Sequence, residues 1–172
     1  MWFRTILYIL ALIALLIIQI TFLAGFDFWL FNINLLIIGL VILINVTEPK
    51  NILIYSVICG LVMDVYSILP FGIYLLIFFL TAIILEVFFM NLFTNRSFYS
   101  LLILGLISIV TYHLIFVLAS GFLYLINASD FSIRFDYFGI FVWQLMSTLI
   151  LLFIFYYLIN KVSRLFKPTF LR

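Results

Sequence analysis

Long apolar runs, interrupted only by short polar segments, constrain the fold of this chain more than any other feature. Apolar residues make up 69% of the 172 residues and charged residues only 8%. A water-soluble fold needs more polar side chains than that to cover its surface, so we predict that the protein lies in lipid. The breaks between the runs predict an all-α, polytopic bundle of six transmembrane helices in a single domain, 1–172, with spans at about 5–24, 28–46, 51–69, 71–93, 98–126 and 137–160.

The distribution of charge predicts how the helices are oriented. With the amino terminus in the cytoplasm, seven of the eight basic residues fall on the inner side: Arg4, Lys50, Arg96, Lys161, Arg164, Lys167 and Arg172. Cytoplasmic loops of membrane proteins carry an excess of Lys and Arg, so we expect both termini to be cytoplasmic. The net charge of +2 is too small to indicate a nucleic-acid partner. The single cysteine excludes an intrachain disulfide and a cysteine-based metal cluster.

The third run contains an acidic residue on a stripe of small side chains. At helical spacing one face carries Ser56, Gly60, Asp64 and Ser67. An ionisable group inside a membrane is costly, so the carboxylate is expected to face protein or water and to have a partner. Counting along the predicted helices places four polar residues in the outer half of the membrane, and we predict an intramembrane polar cluster of Gln19, Asp64, His113 and Gln144. Within it Asp64 is expected to pair with His113 or Gln144, either as a helix-packing hydrogen bond or in a ligand or proton role.

Other residues with possible chemistry are isolated. Glu86 falls in the inner third of the fourth run and is predicted to contact Arg96, a basic residue of the tail or a partner at the inner interface. His113 has no second histidine or suitably spaced carboxylate to form a metal site. The serines lack a neighbouring base, and no glycine-rich phosphate loop is present. We therefore predict no enzyme, no cofactor and no metal. We expect the basic tail mainly to set the topology and to add affinity for anionic membrane lipids or for a cytoplasmic partner.

One short segment carries a family resemblance. Gly60-Leu61-Val62-Met63-Asp64 followed by Ser67, and then Pro70-Phe71-Gly72-Ile73-Tyr74, resembles the signature of MreD, the rod shape-determining membrane proteins of bacteria. The length, the six predicted spans and the Asn95-Arg96-Ser97 loop before a long fifth run are similar as well. The entry to the second run, Phe31-Asn32-Ile33-Asn34, departs from the family because it lacks proline.

The resemblance implies a function and an architecture. It implies a non-enzymatic scaffold of the cell-shape (elongation) machinery in the bacterial inner membrane, with Gly60, Asp64, Ser67, Pro70 and Gly72 as motif and helix-packing residues. The implied partners are an MreC-like bitopic protein, through it the transpeptidase and glycosyltransferase of peptidoglycan synthesis, and indirectly the MreB filament. The implied architecture is similar to that of the substrate-binding subunits of energy-coupling-factor vitamin transporters.

Two other classes of protein remain as alternatives. A solute-binding subunit of such a transporter requires polar groups from several helices to converge on an open pocket, and the four residues of the predicted cluster could supply them. An intramembrane enzyme or proton-coupled carrier would have only isolated ionisable residues to use. The scaffold is the favoured interpretation because it accounts for the short loops and the absence of catalytic groups.

Overall fold

The fold is a bundle of α-helices. The computed structural model describes residues 2–22, 33–47, 51–67, 69–92, 98–126 and 136–165, and all regular structure in these ranges is helical. In chain order the helices are α1 (Trp2–Ile17, continued by a π-helical segment, Ile18–Phe22), α2 (Leu35–Val46), α3 (Ile52–Tyr66), α4 (Ile73–Leu92), α5 (Phe98–Leu125) and α6 (Asp136–Leu165). The prediction of an all-α protein is confirmed for the described ranges.

The helices fall into two length classes. Three of them contain stretches long and apolar enough to cross a membrane: Ile73–Asn91 in α4, Phe98–Leu125 in α5 and Tyr137–Leu158 in α6. The apolar parts of α1, α2 and α3 are shorter, and α2 has only 12 residues. Such a helix is about 18 Å long, against a hydrocarbon core of about 30 Å. The six-span architecture therefore stays a prediction.

The second helix begins later than its apolar run. The run starts at about 28, but α2 begins at Leu35, with Asn34 as its N-cap residue. The Asn34 Oδ1 accepts a hydrogen bond from the Ile37 N–H at 3.2 Å, which satisfies one of the amides that a helix start leaves unpaired. The third helix likewise ends at Tyr66 rather than at 69. Residues 23–32 and 93–97 lie outside the described residues, and with them the predicted ends at 24, 28 and 93.

The core of the bundle forms around α2. This helix packs against α1, α3, α4, α5 and α6. It is apolar on all sides, which is the pattern of a helix surrounded by others, and the side chains of Leu36, Ile37, Ile38, Leu40, Val41 and Ile44 are at most 1% exposed. Large apolar side chains of α1, α5 and α6 are instead exposed on the outside of the bundle, where lipid can solvate them.

Successive helices run antiparallel, which brings polar residues of several helices to one end. Asp64 near the end of α3 contacts the start of α4, and His113 of α5 contacts the start of α6. We call this end, defined by Gln19, Asn34, Asp64, His113 and Gln144, the polar end.

Candidate functional site

The α3–α4 corner is the most tightly built part of the polar end. Gly60 of α3 lies against the backbone of the first turn of α4. A Cβ added at Gly60 would clash with the Leu75 Cα and would lie 3.0 Å from the Leu75 N and 3.1 Å from the Tyr74 O. Only glycine therefore permits this crossing, because the obstructing atoms are backbone atoms that no side-chain rotation can move.

Asp64, one helical turn after Gly60, caps the amino end of α4. Its Oδ1 accepts the Tyr74 N–H at 2.8 Å, and its Oδ2 accepts the Leu75 N–H at 3.0 Å. Asp64 is 4% exposed. The first turn of a helix leaves its N–H groups unpaired and carries a partial positive charge, so a carboxylate is well suited to this position. The cap comes from a neighbouring helix rather than from the residue before α4.

The remaining motif residues build the turn between the two helices. The Ser67 hydroxyl donates to the Asp64 carbonyl oxygen at 3.2 Å. The Pro70 carbonyl oxygen accepts the Ile73 N–H at 3.4 Å. Gly72 has φ +99°, a conformation that glycine adopts at little cost, and its carbonyl oxygen accepts the Leu76 N–H at 3.0 Å. The five predicted motif residues thus share one corner, in which each has a structural role.

A second polar group joins α5 to α6. The Nε2 of His113 lies 2.5 Å from the Gln144 Oε1, and the Nδ1 of His113 lies 2.8 Å from the Tyr137 hydroxyl oxygen. Because an amide oxygen only accepts, a neutral imidazole donates from Nε2 and accepts the Tyr137 proton at Nδ1. The ring is 6% exposed. Both ring nitrogens are therefore used within the protein.

Aromatic rings connect the corner to this second group. The Tyr74 and Phe116 centroids lie 6.4 Å apart, and Phe116 stacks on Tyr137 at 5.9 Å with an interplanar angle of 9°. Tyr137 also packs edge-to-face on His113 at 5.4 Å. Ring pairs at such distances attract each other. The chain of contacts thus runs from α3 through α4 and α5 to α6.

A third polar group surrounds the start of α2. The Gln19 Oε1, in the π-helical segment, accepts the Leu36 N–H at 3.2 Å. Together with the Asn34 cap on Ile37, it satisfies two of the first amides of α2. The Gln19 and Asn34 side chains thus supply acceptors for amides that the first turn of a helix leaves without a backbone partner.

Two of the four residues of the predicted cluster, Asp64 and Gln19, bond outside it in the structure. His113 and Gln144 bond to each other, whereas Asp64 caps α4 and Gln19 caps α2. Asp64 was expected to pair with His113 or Gln144, but it bonds to two backbone amides instead. The physical reason is that two adjacent unpaired N–H groups at a helix start satisfy both oxygens of a carboxylate at once.

Other parts of the site were missed or lie elsewhere. Tyr74, Asn34 and Tyr137 were not among the predicted site residues, although each stands within three residues of a helix start, where capping groups collect. Glu86 is partly buried in α4, but Arg96 lies outside the described residues, so their contact stays a prediction. Within the described ranges no three His, Cys, Asp or Glu residues lie together as a metal site would require.

Comparison with known proteins supplies the family. No curated protein and no solved structure matches the chain significantly. The similarity to energy-coupling-factor subunits therefore stays a prediction. One family does match, described as rod shape-determining protein MreD, and the match covers residues 2–166, nearly the whole chain. This match includes every residue of the α3–α4 corner and both helices that carry His113 and Gln144. The chain belongs to the MreD family of rod shape-determining membrane proteins.

Proposed function

We propose that this protein is a non-enzymatic scaffold of the bacterial cell-shape machinery. In this role it lies in the inner membrane with both termini in the cytoplasm and binds an MreC-like bitopic protein. Through that partner it helps to organise the transpeptidase and glycosyltransferase of lateral peptidoglycan synthesis and, indirectly, the MreB filament. The membership of the chain in the MreD family supports a role in determining rod shape.

The proposal depends on one observation: the polar side chains at the polar end bond to other groups of the protein. The oxygens of Asp64, the nitrogens of His113 and the Oε1 of Gln19 each bond to another group of the protein. A catalytic or solute-binding site keeps such groups available to a substrate or ligand. Here they hold the ends of helices at set positions, which is what a scaffold that presents a membrane-embedded surface requires.

The same geometry lends no support to the solute-binding alternative. That function needs Gln19, Asp64 and His113 to face a shared pocket, and the structure places them in three separate hydrogen-bonded groups. We therefore propose no transport role.

A complementation experiment tests the scaffold role. Rod-shaped cells depleted of their own copy would express the wild-type protein, Asp64→Leu or the control Val65→Leu, whose position is 70% exposed on the neighbouring face of α3. We expect the wild type and Val65→Leu to maintain normal cell width and to co-purify with the MreC-like protein. Asp64→Leu should give wide or round cells and lose the co-purification, since the α3–α4 corner would no longer be held.

The protein level in the membrane has to be measured beside cell width. Normal rods and normal co-purification with an Asp64→Leu protein would count against the proposal. The same is true of depleted cells that stay rod-shaped without any copy of the protein.

A further inference from the structure

Glu86 of α4 is the single charged residue in the three long apolar stretches of the bundle, Ile73–Asn91, Phe98–Leu125 and Tyr137–Leu158. It stands about 9 Å of helix before the last residue of α4, Leu92. In the part of the chain that the structure describes, no group donates a hydrogen bond to its carboxylate or forms an ion pair with it. A carboxylate inside a membrane is costly without a partner, so Glu86 needs one that the described residues do not supply.

The Glu86 side chain lies at the edge of the outward face of α4. On one side of it Ala82 and Phe89 are buried, whereas on the other side Val87 and Met90 are exposed. Glu86 itself is partly buried. The carboxylate therefore stands at the boundary between the bundle and its surroundings, where a group of another molecule can reach it.

The outward face of α4 has the spacing of a contact between two helices. Its apolar residues follow one another at alternating intervals of four and three, and all are exposed or partly exposed: Leu76, Leu80, Ile83, Val87 and Met90. This is the a/d pattern with which helices pack along their length. With Val87 at an a position, Glu86 directly before it is at a g position, from which charged side chains form ion pairs with the facing helix.

The other long helices offer no such mark. The outward faces of α5 and α6 are also apolar, but neither carries a charged residue within Phe98–Leu125 or Tyr137–Leu158. Lipid alone can cover those faces. Lipid acyl chains cannot pair with the carboxylate on α4, and a facing helix with a basic residue can.

We propose that the outward face of α4 binds a membrane helix of a partner protein through an ion pair between Glu86 and a lysine or arginine of that helix. The apolar residues at the a and d positions supply the packing surface. The basic residue lies near the end of the bundle opposite to the polar end, because α4 begins at the polar end and Glu86 is close to its other end. This assignment rests on the proposed scaffold role, in which the partner is the MreC-like bitopic protein.

Co-purification of the full-length protein with the MreC-like protein tests the assignment. Glu86→Gln removes the charge and keeps the shape of the side chain, and it should lower the amount of co-purified partner by about tenfold or more. Glu86→Asp keeps the charge and should retain most of the partner. Leu114→Gln places the same amide on the exposed face of α5 and should change nothing.

A charge exchange and a crosslink identify the contact itself. Glu86→Lys should abolish co-purification, and a change of the partner's basic residue to glutamate should restore it. A benzophenone amino acid in place of Met90 should crosslink to the partner's membrane helix, whereas the same amino acid in place of Leu114 should not.

The melting temperature of the protein without its partner separates this contact from one within the chain. Glu86→Gln should melt at the wild-type temperature or above it, because no internal bond of the carboxylate is lost. A lower melting temperature would show that Glu86 bonds inside the chain, as in the predicted contact with Arg96, and would overturn the assignment.

Other results would also overturn it. One is full co-purification of the partner with Glu86→Gln while Asp64→Leu loses the partner, which would leave the scaffold role intact and remove only the α4 contact. Another is a crosslink from position 90 to a second copy of this chain alone. A wild-type protein that does not co-purify with the MreC-like protein would overturn the scaffold role, and the α4 assignment with it.

Discussion

Gly60 of α3 and Leu75 of α4 are in backbone contact, with no space between them for a β-carbon. This contact brings the next turn of α3 close enough for the Asp64 carboxylate to reach the Tyr74 and Leu75 amides at 2.8 and 3.0 Å. The close approach and the cap depend on each other. Without glycine at position 60 the Asp64 carboxylate could not reach the Tyr74 and Leu75 amides, and without the carboxylate those two amides would lack an acceptor.

The first prediction concerns the close approach. We expect Gly60→Ala to lower the free energy of unfolding by about 1–3 kcal/mol, because the new methyl group forces α3 away from α4. The measurement is thermal unfolding in detergent, followed with a thiol-reactive dye at Cys59, the single cysteine of the chain, which is 1% exposed in the folded protein.

The matched control is Gly121→Ala in α5, where a β-carbon would meet no atom within 4 Å. This variant should melt at the wild-type temperature or above it, since alanine is favoured over glycine in a helix by up to about 1 kcal/mol. Equal melting of the two variants would show that the α3–α4 crossing does not require glycine.

The second prediction concerns the cap. Asp64→Leu leaves two buried N–H groups without an acceptor, at a cost of about 1–3 kcal/mol each. Asp64→Asn keeps one carbonyl acceptor, so its melting temperature should lie between those of Asp64→Leu and the wild type. Val65→Leu is the control at an exposed position. If Asp64→Leu melted at the same temperature as Val65→Leu, the cap would be refuted.

The third prediction concerns the turn before α4. Gly72 has φ +99° and an added β-carbon would meet no atom within 4 Å, so only backbone strain opposes a side chain there. Gly72→Ala should destabilise the protein by about 1–2 kcal/mol, and Gly72→Asn by less, because asparagine tolerates positive φ better. Gly139→Ala, in helix α6 and equally free of neighbours, should not destabilise it. Thermal unfolding of the three variants decides this, and equal losses at the two glycines would contradict it.

The fourth prediction uses double-mutant cycles to separate the polar groups. The cycle of His113→Leu with Gln144→Leu should show a coupling of about 0.6–1.7 kcal/mol, as measured for hydrogen bonds between membrane helices. The cycle of Asp64→Leu with His113→Leu should be additive within about 0.5 kcal/mol, because the two side chains share no hydrogen bond in the structure. A strong coupling in the second cycle would restore the pairing that the sequence suggested.

Much of the helical architecture could be predicted from local patterns. The fifth run was expected at 98–126 and the sixth at 137–160, and α5 and α6 lie at Phe98–Leu125 and Asp136–Leu165. The face shared by Gly60 and Asp64 followed from helical spacing alone. The start of α2 at Leu35 was harder to predict, since the apolar run begins before it and only the cap at Asn34 marks the boundary.

The sequence by itself determined three features: the apolar runs, the helix face shared by Gly60 and Asp64, and the turn residue Gly72. They could be recognised because periodicity and backbone preference are properties of neighbouring residues. The partners of the polar side chains were decided only when the helices packed. Asp64 and Gln19 bond to backbone amides, which every residue except proline carries and which no residue type marks. An amide becomes a partner only where a helix start leaves it unpaired and where another helix comes within about 3 Å of it.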